Sequence, residues 1–231
     1  MKRRVLFGVA LVTLAGVASV QADGTPPLAP RWSAALGVQS ADDIPAALKR
    51  PFDAPFDAVV AGVPEVRLDD CEAWRVWRGR IRGARPESDY AALRGQGVQC
   101  DALALLRTVR AARHSALPAD LDTLTDARLY PATLWIAISD DAVAELAKPG
   151  RTLAAAAGVR RWQAERKGLV LQDDTQGVRL VWLARGDFDG DGWEDALYRW
   201  QASIRDGSWT DVRLVLLTRR GSSARLVELR H

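Results

Sequence analysis

The sequence predicts an α+β fold, in which a mixed helical N-terminal part packs on a C-terminal antiparallel sheet. Residues 101–113 carry apolar side chains at spacings of three and four, as one face of a helix requires. From residue 167 onward, short apolar runs are separated by turn-forming pairs such as Asp206-Gly207. That arrangement is typical of an antiparallel meander.

The predicted strands of the meander are short apolar runs at residues 168–171, 178–183, 211–217 and 224–229. The stretch 196–204 fits two patterns, because its apolar residues alternate as in a strand and also fall on one helix face. We assign it as a strand, since its neighbours are strands and a turn signal follows it directly.

The N-terminal part is predicted to contain both helices and strands. Residues 42–50 indicate a short helix. Ser139 precedes a second helix over residues 140–148, whose first turn is acidic and complements the positive end of a helix. Strands are predicted at residues 76–82, where apolar and basic residues alternate, and at residues 133–138, which form an apolar run.

Residues 1–22 have the three parts of a secretory signal peptide: a basic start, an apolar stretch and small residues before Ala22. A membrane anchor is the alternative, but a bilayer span needs about 20 apolar residues, more than this stretch supplies. We therefore predict a periplasmic or secreted protein. The predicted divisions of the chain are a signal peptide (1–22), a Pro-rich segment (23–30), a mixed α/β part (31–166) and an antiparallel β part (167–231).

Removal of the leader changes the charge of the chain. The full sequence has 32 basic and 29 acidic residues and a net charge of +3. Because Lys2, Arg3 and Arg4 lie in the leader, 29 basic residues remain against 29 acidic ones. The mature chain then lacks the positive field typical of nucleic-acid binding. We expect no stable membrane span after cleavage. The sequence does not identify a partner, and a glycan and a protein are both compatible with it.

The chain has two cysteines, Cys71 and Cys100. In an exported protein an even pair usually forms a disulfide. A metal or redox pair is the alternative, but the sequence has no CxxC spacing and only two histidines. We predict the Cys71–Cys100 disulfide, which would fix the start of the helix at residues 101–113.

Residues 186–198 read GDFDGDGWEDALY. Ca²⁺ takes six to eight oxygen ligands. A short loop supplies them through carboxylates at alternate positions, a glycine at the sharp turn and a backbone carbonyl after it. The spacing predicts a calcium site, with Glu194 pointing outward; a hydrated acidic turn is the alternative. The predicted ligands are the carboxylates of Asp187, Asp189, Asp191 and Asp195 and the backbone carbonyl of Trp193.

This stretch resembles the DxDxDGxxD calcium loop of integrin-like FG-GAP and VCBS repeats, in which such a loop joins two strands. It departs from an EF-hand, because Tyr198 stands where the bidentate glutamate should be and the preceding residues are strand-like. The resemblance covers one loop in a single copy. It implies the same ligands and metal, and it implies neither a propeller nor a particular activity.

No motif of a serine hydrolase elbow, a phosphate-binding loop or a zinc protease occurs in the sequence. The nine tryptophans are mostly expected in the core, with Trp193 the most exposed. Our first hypothesis is an exported calcium-binding protein of non-catalytic binding or accessory type, with the metal in a structural role. The alternative is an envelope hydrolase acting on glycan or peptidoglycan, which an aromatic cleft with facing carboxylates would favour.

Overall fold

The computed structural model describes residues 26–156, 161–165, 168–222 and 224–229. The predicted signal peptide lies outside these ranges. The described chain combines α-helices with antiparallel sheets, which confirms the α+β class. None of the described helices is long and apolar enough to cross a bilayer.

The α-helices are α1 (Ile44–Leu48), α2 (Cys71–Trp77), α3 (Tyr90–Leu106) and α4 (Asp140–Leu146). The strands are β1 (Arg31–Trp32), β2 (Phe56–Val60), β3 (Val63–Leu68), β4 (Ile81–Arg85), β5 (Arg161–Glu165), β6 (Gly168–Gln172), β7 (Gln176–Gly186), β8 (Asp195–Ile204), β9 (Thr210–Thr218) and β10 (Val227–Leu229). The helices predicted at 42–50 and 140–148 are confirmed as α1 and α4.

The larger sheet is the antiparallel meander that the C-terminal sequence predicts. Strands β5 to β10 follow one another in the sheet, and β1 pairs with the end of β7. The ambiguous stretch 196–204 lies in β8, so its assignment as a strand is confirmed. Its side chains point alternately to the two faces of the sheet: Tyr198 and Trp200 join one hydrophobic core, and Leu197 joins another.

These two cores cover opposite faces of the sheet. One core contains apolar side chains from residues 117–156 together with one face of β6 to β9. The other core lies between the large sheet and a layer formed by α1, α2, α3 and a smaller sheet of β2, β3 and β4. Side chains of this layer pack on Leu183, Leu197 and Leu216 of the large sheet. Each core therefore combines residues from both sides of the predicted division at residue 166. The large sheet is a central layer with apolar packing on both faces.

The strand predicted at residues 76–82 is wrong, because this stretch holds the end of α2, a turn and the start of β4. Asp70 caps α2 by accepting a hydrogen bond from the Ala73 N–H at 2.8 Å. Cys71 and Trp74 are buried on one face of the helix. Strand β4 then pairs with β2 in a three-stranded antiparallel sheet of order β3-β2-β4.

The helix predicted at residues 101–113 begins and ends earlier, as α3. Gly97 lies in the N-terminal half of α3 and packs directly against α2. A Cβ at position 97 would lie 2.0 Å from Cζ2 of Trp74. The close approach of α2 and α3 therefore requires glycine inside the helix. Beyond Leu106 the chain becomes extended and reaches the acidic loop.

The predicted disulfide between Cys71 and Cys100 is present, with the two Cα atoms 5.1 Å apart. It joins the first residue of α2 to the interior of α3, so Cys100 does not lie at the start of its helix. Both cysteines are buried in the core that contains these helices.

The strand predicted at residues 133–138 is also wrong, and a short 3₁₀ turn followed by irregular chain occupies these positions. Leu134 is buried, whereas Ile138 is 85% exposed. The segment packs over the sheet instead of pairing within it, and the Trp200 indole donates to the Leu134 carbonyl at 2.7 Å. The apolar run thus covers a face of the large sheet without pairing with any of its strands.

Candidate metal centre

The acidic loop connects β7 to β8, so it joins two strands as predicted. Its backbone is left-handed at Gly190 and Gly192, with φ values of 83° and 86°. Residues with a Cβ rarely adopt these values, which explains glycine at both positions. The glycine predicted at the sharp turn, Gly192, therefore has the conformation that its position requires.

Three of the four predicted aspartates converge. One carboxylate oxygen from each of Asp187, Asp189 and Asp195 lies within 4.8 Å of the other two. Calcium ligands lie 2.3–2.6 Å from the ion, so two oxygens of one shell are at most about 5 Å apart. In the described part of the chain, no lysine or arginine forms an ion pair with any of the three.

Convergence of these carboxylates is electrostatically unfavourable by itself. Two unit charges about 5 Å apart repel by roughly 3 kcal/mol at an effective dielectric constant of 20. Backbone N–H groups offset part of this repulsion: Asp187 accepts from Gly190 at 2.7 Å and from Gly192 at 3.1 Å. Asp189 accepts from the Asp191 N–H at 3.1 Å. These bonds orient the carboxylates and leave their charge without a counter-ion.

Asp195 is fully buried at the start of β8. Its Oδ2 accepts a hydrogen bond from the Phe188 N–H at 3.0 Å, whereas its Oδ1 has no hydrogen-bond partner. Thr218, opposite it on β9, has a buried hydroxyl that interacts with the Asp195 carboxylate without forming a hydrogen bond of normal geometry. Burial, reinforced by the charges of Asp189 and Asp191, raises the pKa of Asp195 to about 6, although the Phe188 N–H and the Thr218 hydroxyl act to lower it. A bound cation would satisfy the carboxylate oxygen that the fold leaves unpaired.

Asp191, the fourth predicted carboxylate, lies outside the group of three. One of its oxygens accepts from the Trp193 N–H at 2.7 Å, and the other pairs with Arg220. The half-buried Trp193 ring lies 5.3 Å from the His114 ring, measured between centroids. Trp209, and not Trp193, is the exposed tryptophan among the described side chains. Ligation by Asp191 and by the Trp193 carbonyl stays a prediction.

Glu194 points inward, contrary to its predicted orientation, and is 1% exposed. Arg185 Nε donates to one of its oxygens at 2.6 Å and Nη2 donates to the other. Arg185 Nη1 also donates to the carbonyls of Pro118 at 2.9 Å and Ala119 at 3.0 Å. Burial would raise the pKa of Glu194, but hydrogen bonds from Arg185 and Ser115 outweigh it and hold the pKa below its usual value. A buried ion pair therefore lies directly beneath the acidic loop.

The chain that leaves α3 forms a support for the acidic loop. The backbone groups of Arg110 and Asp187 exchange two hydrogen bonds, each of 3.0 Å. The Gly192 carbonyl accepts from the N–H groups of Arg113 at 2.8 Å and His114 at 3.0 Å. His114 thus contacts the loop through its backbone and its ring. Through these bonds, the position of the carboxylates depends on how the N-terminal part packs against the sheet.

The raised pKa of Asp195 predicts a pH dependence of the metal-free protein. The folded pKa of about 6 exceeds the usual 3.8, so the folded state binds the proton more tightly than the unfolded chain. The resulting stabilisation is complete below the lower value and is lost as the pH rises through about 6. Between pH 4 and pH 7.5 the free energy of unfolding should fall by on the order of 2 kcal/mol relative to Asp195→Asn.

Urea unfolding of both metal-free proteins across this pH range checks the prediction. The Asp195→Asn variant cannot titrate at this position, so the difference between the two curves isolates this carboxyl from all others. Curves that run parallel from pH 4 to pH 7.5 would show that Asp195 titrates normally.

Comparisons with known proteins add no relative. No protein-family model matches the chain, and no curated protein or solved structure is significantly similar to it. The resemblance to FG-GAP and VCBS calcium loops therefore rests on residues 187–195 alone and stays a prediction.

Proposed function

We propose that the chain is an exported calcium-binding protein of non-catalytic binding or accessory type, in which the metal has a structural role. The convergence of Asp187, Asp189 and Asp195 carries this proposal, because their oxygens lie at separations that one calcium shell allows. The unpaired buried oxygen of Asp195 supports it. Carboxylate oxygens are the hard ligands that Ca²⁺ prefers.

The surroundings of the loop favour a structural role for the metal. The loop joins β7 to β8 in the central sheet, and its backbone is bonded to Arg110, Arg113 and His114. A cation bound to Asp187 and Asp195 would therefore hold the sheet and the chain leaving α3 in one arrangement. Binding to the folded state alone would stabilise it by mass action.

Export to the periplasm or the outside is part of the same proposal. The leader-like residues 1–22 support it, and so does the buried Cys71–Cys100 disulfide, since disulfides persist mainly outside the reducing cytosol. A low-affinity site would be sufficient in that setting, because extracellular modules bind Ca²⁺ with dissociation constants of about 10⁻⁴–10⁻³ M.

Thermal unfolding of the oxidised mature protein with Ca²⁺ or with chelator tests the proposal. At 100 times its dissociation constant, Ca²⁺ should stabilise the fold by about 2.7 kcal/mol. For a chain of this size that corresponds to a Tm increase of roughly 5 to 11 °C. The increase should be largely lost in Asp189→Ala, which removes an exposed carboxylate and so leaves the fold intact.

Asp53→Ala is the matched control, because it also removes one exposed carboxylate but lies far from the loop in sequence. It should keep the full Tm increase. The proposal fails, and the loop is a hydrated acidic turn, if Ca²⁺ leaves the Tm of the unaltered protein unchanged at up to about 100 mM, which is 100 times the weakest dissociation constant given above. It also fails if Asp189→Ala responds like the unaltered protein.

A further inference from the structure

A cleft of about 920 Å³ lies between the start of α3 and the hairpin that joins β8 to β9. Its volume falls at the upper end of the range of small-molecule sites, about 300–1,000 Å³. It shares no residue with the acidic loop. The acidic loop precedes β8 and the hairpin follows it, so the two sites lie at opposite ends of that strand.

Two partly exposed aromatic side chains line the cleft, Tyr90 on one wall and Trp209 on the other. Trp209 is 44% exposed, which is unusual for a tryptophan in a chain that buries Trp74, Trp135 and Trp200. The Ile204 N–H donates to the Trp209 carbonyl at 3.2 Å across the tight turn. This bond anchors the Trp209 backbone to the end of β8.

The remaining lining of the cleft is rich in hydrogen-bonding groups. Ser88, Ser208 and Thr210 supply hydroxyls, and Glu87, Arg94 and Asp211 supply charged groups. Arg94 Nη2 pairs with Asp211 Oδ1 at 3.3 Å and reaches the Val212 carbonyl at 3.4 Å. This contact ties α3 to β9, so the two walls of the cleft are held together before any ligand binds.

We propose that this cleft binds a neutral oligosaccharide. Sugar rings carry apolar C–H faces and a rim of hydroxyls. The faces can stack on Tyr90 and Trp209, and the hydroxyls can bond to the polar side chains between them. Asp211 Oδ1 accepts from Arg94 at 3.3 Å and from the Val212 N–H at 2.8 Å, and these bonds hold the carboxylate in place to accept a hydrogen bond from a sugar hydroxyl.

The charges of the cleft select a neutral sugar over an acidic one. Among the described residues, those that line the cleft include two carboxylates, Glu87 and Asp211, and one cation, Arg94, which is already paired. A uronate, sulfate or phosphate group would meet an excess of negative charge there. A neutral chain has no such penalty.

Isothermal titration calorimetry of the oxidised mature protein tests the proposal with cellopentaose, penta-N-acetylchitopentaose and maltopentaose. At least one should bind saturably, and Trp209→Ala should weaken that binding tenfold or more. Trp209→Tyr, which keeps an aromatic face, should weaken it less than threefold. Val76→Ala is the matched control: Val76 is 72% exposed and lies outside the cleft lining, and binding should not change.

Three results would overturn the proposal. They are the absence of binding to all three neutral sugars, equal binding by Trp209→Ala and the unaltered protein, and tighter binding of tetragalacturonate than of any neutral sugar. Tyr90→Ala provides a second variant on the opposite wall, so a folding defect in one variant leaves the test intact. Repeating the titration in chelator shows whether binding depends on the acidic loop, and we expect no dependence.

Discussion

Replacing Glu194 with glutamine should lower the free energy of unfolding by about 3 to 5 kcal/mol, the usual cost of breaking a buried ion pair by removing one partner. Glu194 is 1% exposed and Arg185 is 4% exposed, so the guanidinium charge left behind would have no water to solvate it. Chemical denaturation in chelator measures the loss without any contribution from bound metal.

A double-mutant cycle of Arg185→Met, Glu194→Gln and the two combined separates the ion pair from general packing. In Arg185→Met/Glu194→Gln both charges are removed, so the stability should recover part of the loss seen in Glu194→Gln. Recovery should be incomplete, because the carbonyls of Pro118 and Ala119 also lose their Arg185 hydrogen bonds. Asp57→Asn serves as the control, since its pair with Arg67 is solvent-exposed and should contribute less than about 1 kcal/mol. If Glu194→Gln costs no more than Asp57→Asn, the buried pair does not stabilise the fold.

Periodicity predicted the central sheet better than it predicted the layers around it. The meander strands are apolar on both faces because each face packs on a core, and the resulting short apolar runs are visible in the sequence. The length of α3 could not be predicted in the same way, because Gly97 is explained only by the indole of Trp74, which lies in another helix. At residues 133–138 an apolar run covers the sheet face through the buried side chains of Leu134 and Trp135, and hydrophobicity alone does not distinguish that from a strand.

The acidic loop shows the same division between local and distant information. The spacing of the aspartates and the glycine located the loop between two strands and predicted the turn at Gly192. Three features depend on partners outside the loop: the inward direction of Glu194, the pairing of Asp191 with Arg220 and the buried hydroxyl of Thr218 beside Asp195. A local motif carries no information about such partners, so only the folded arrangement reveals them.

Removing the Cys71–Cys100 disulfide should also lower the free energy of unfolding by several kcal/mol. The double variant Cys71→Ala/Cys100→Ala should lose about 3.5 kcal/mol, because the cross-link closes a loop with a sequence separation of 29 and restricts the unfolded chain. For a protein of this size the Tm should fall by roughly 7 to 14 °C. Guanidinium denaturation of the oxidised protein and the variant measures the difference.

The slope of the denaturation curve distinguishes the physical origin of that loss. A cross-link acts mainly on the unfolded state, so the variant should unfold with a larger m-value as its unfolded chain exposes more surface. Both cysteines are buried, and loss of their packing alone would lower the midpoint at an unchanged m-value. An unchanged midpoint would instead show that the link between α2 and α3 adds nothing to contacts such as those of Trp74 and Gly97, which already hold the two helices together.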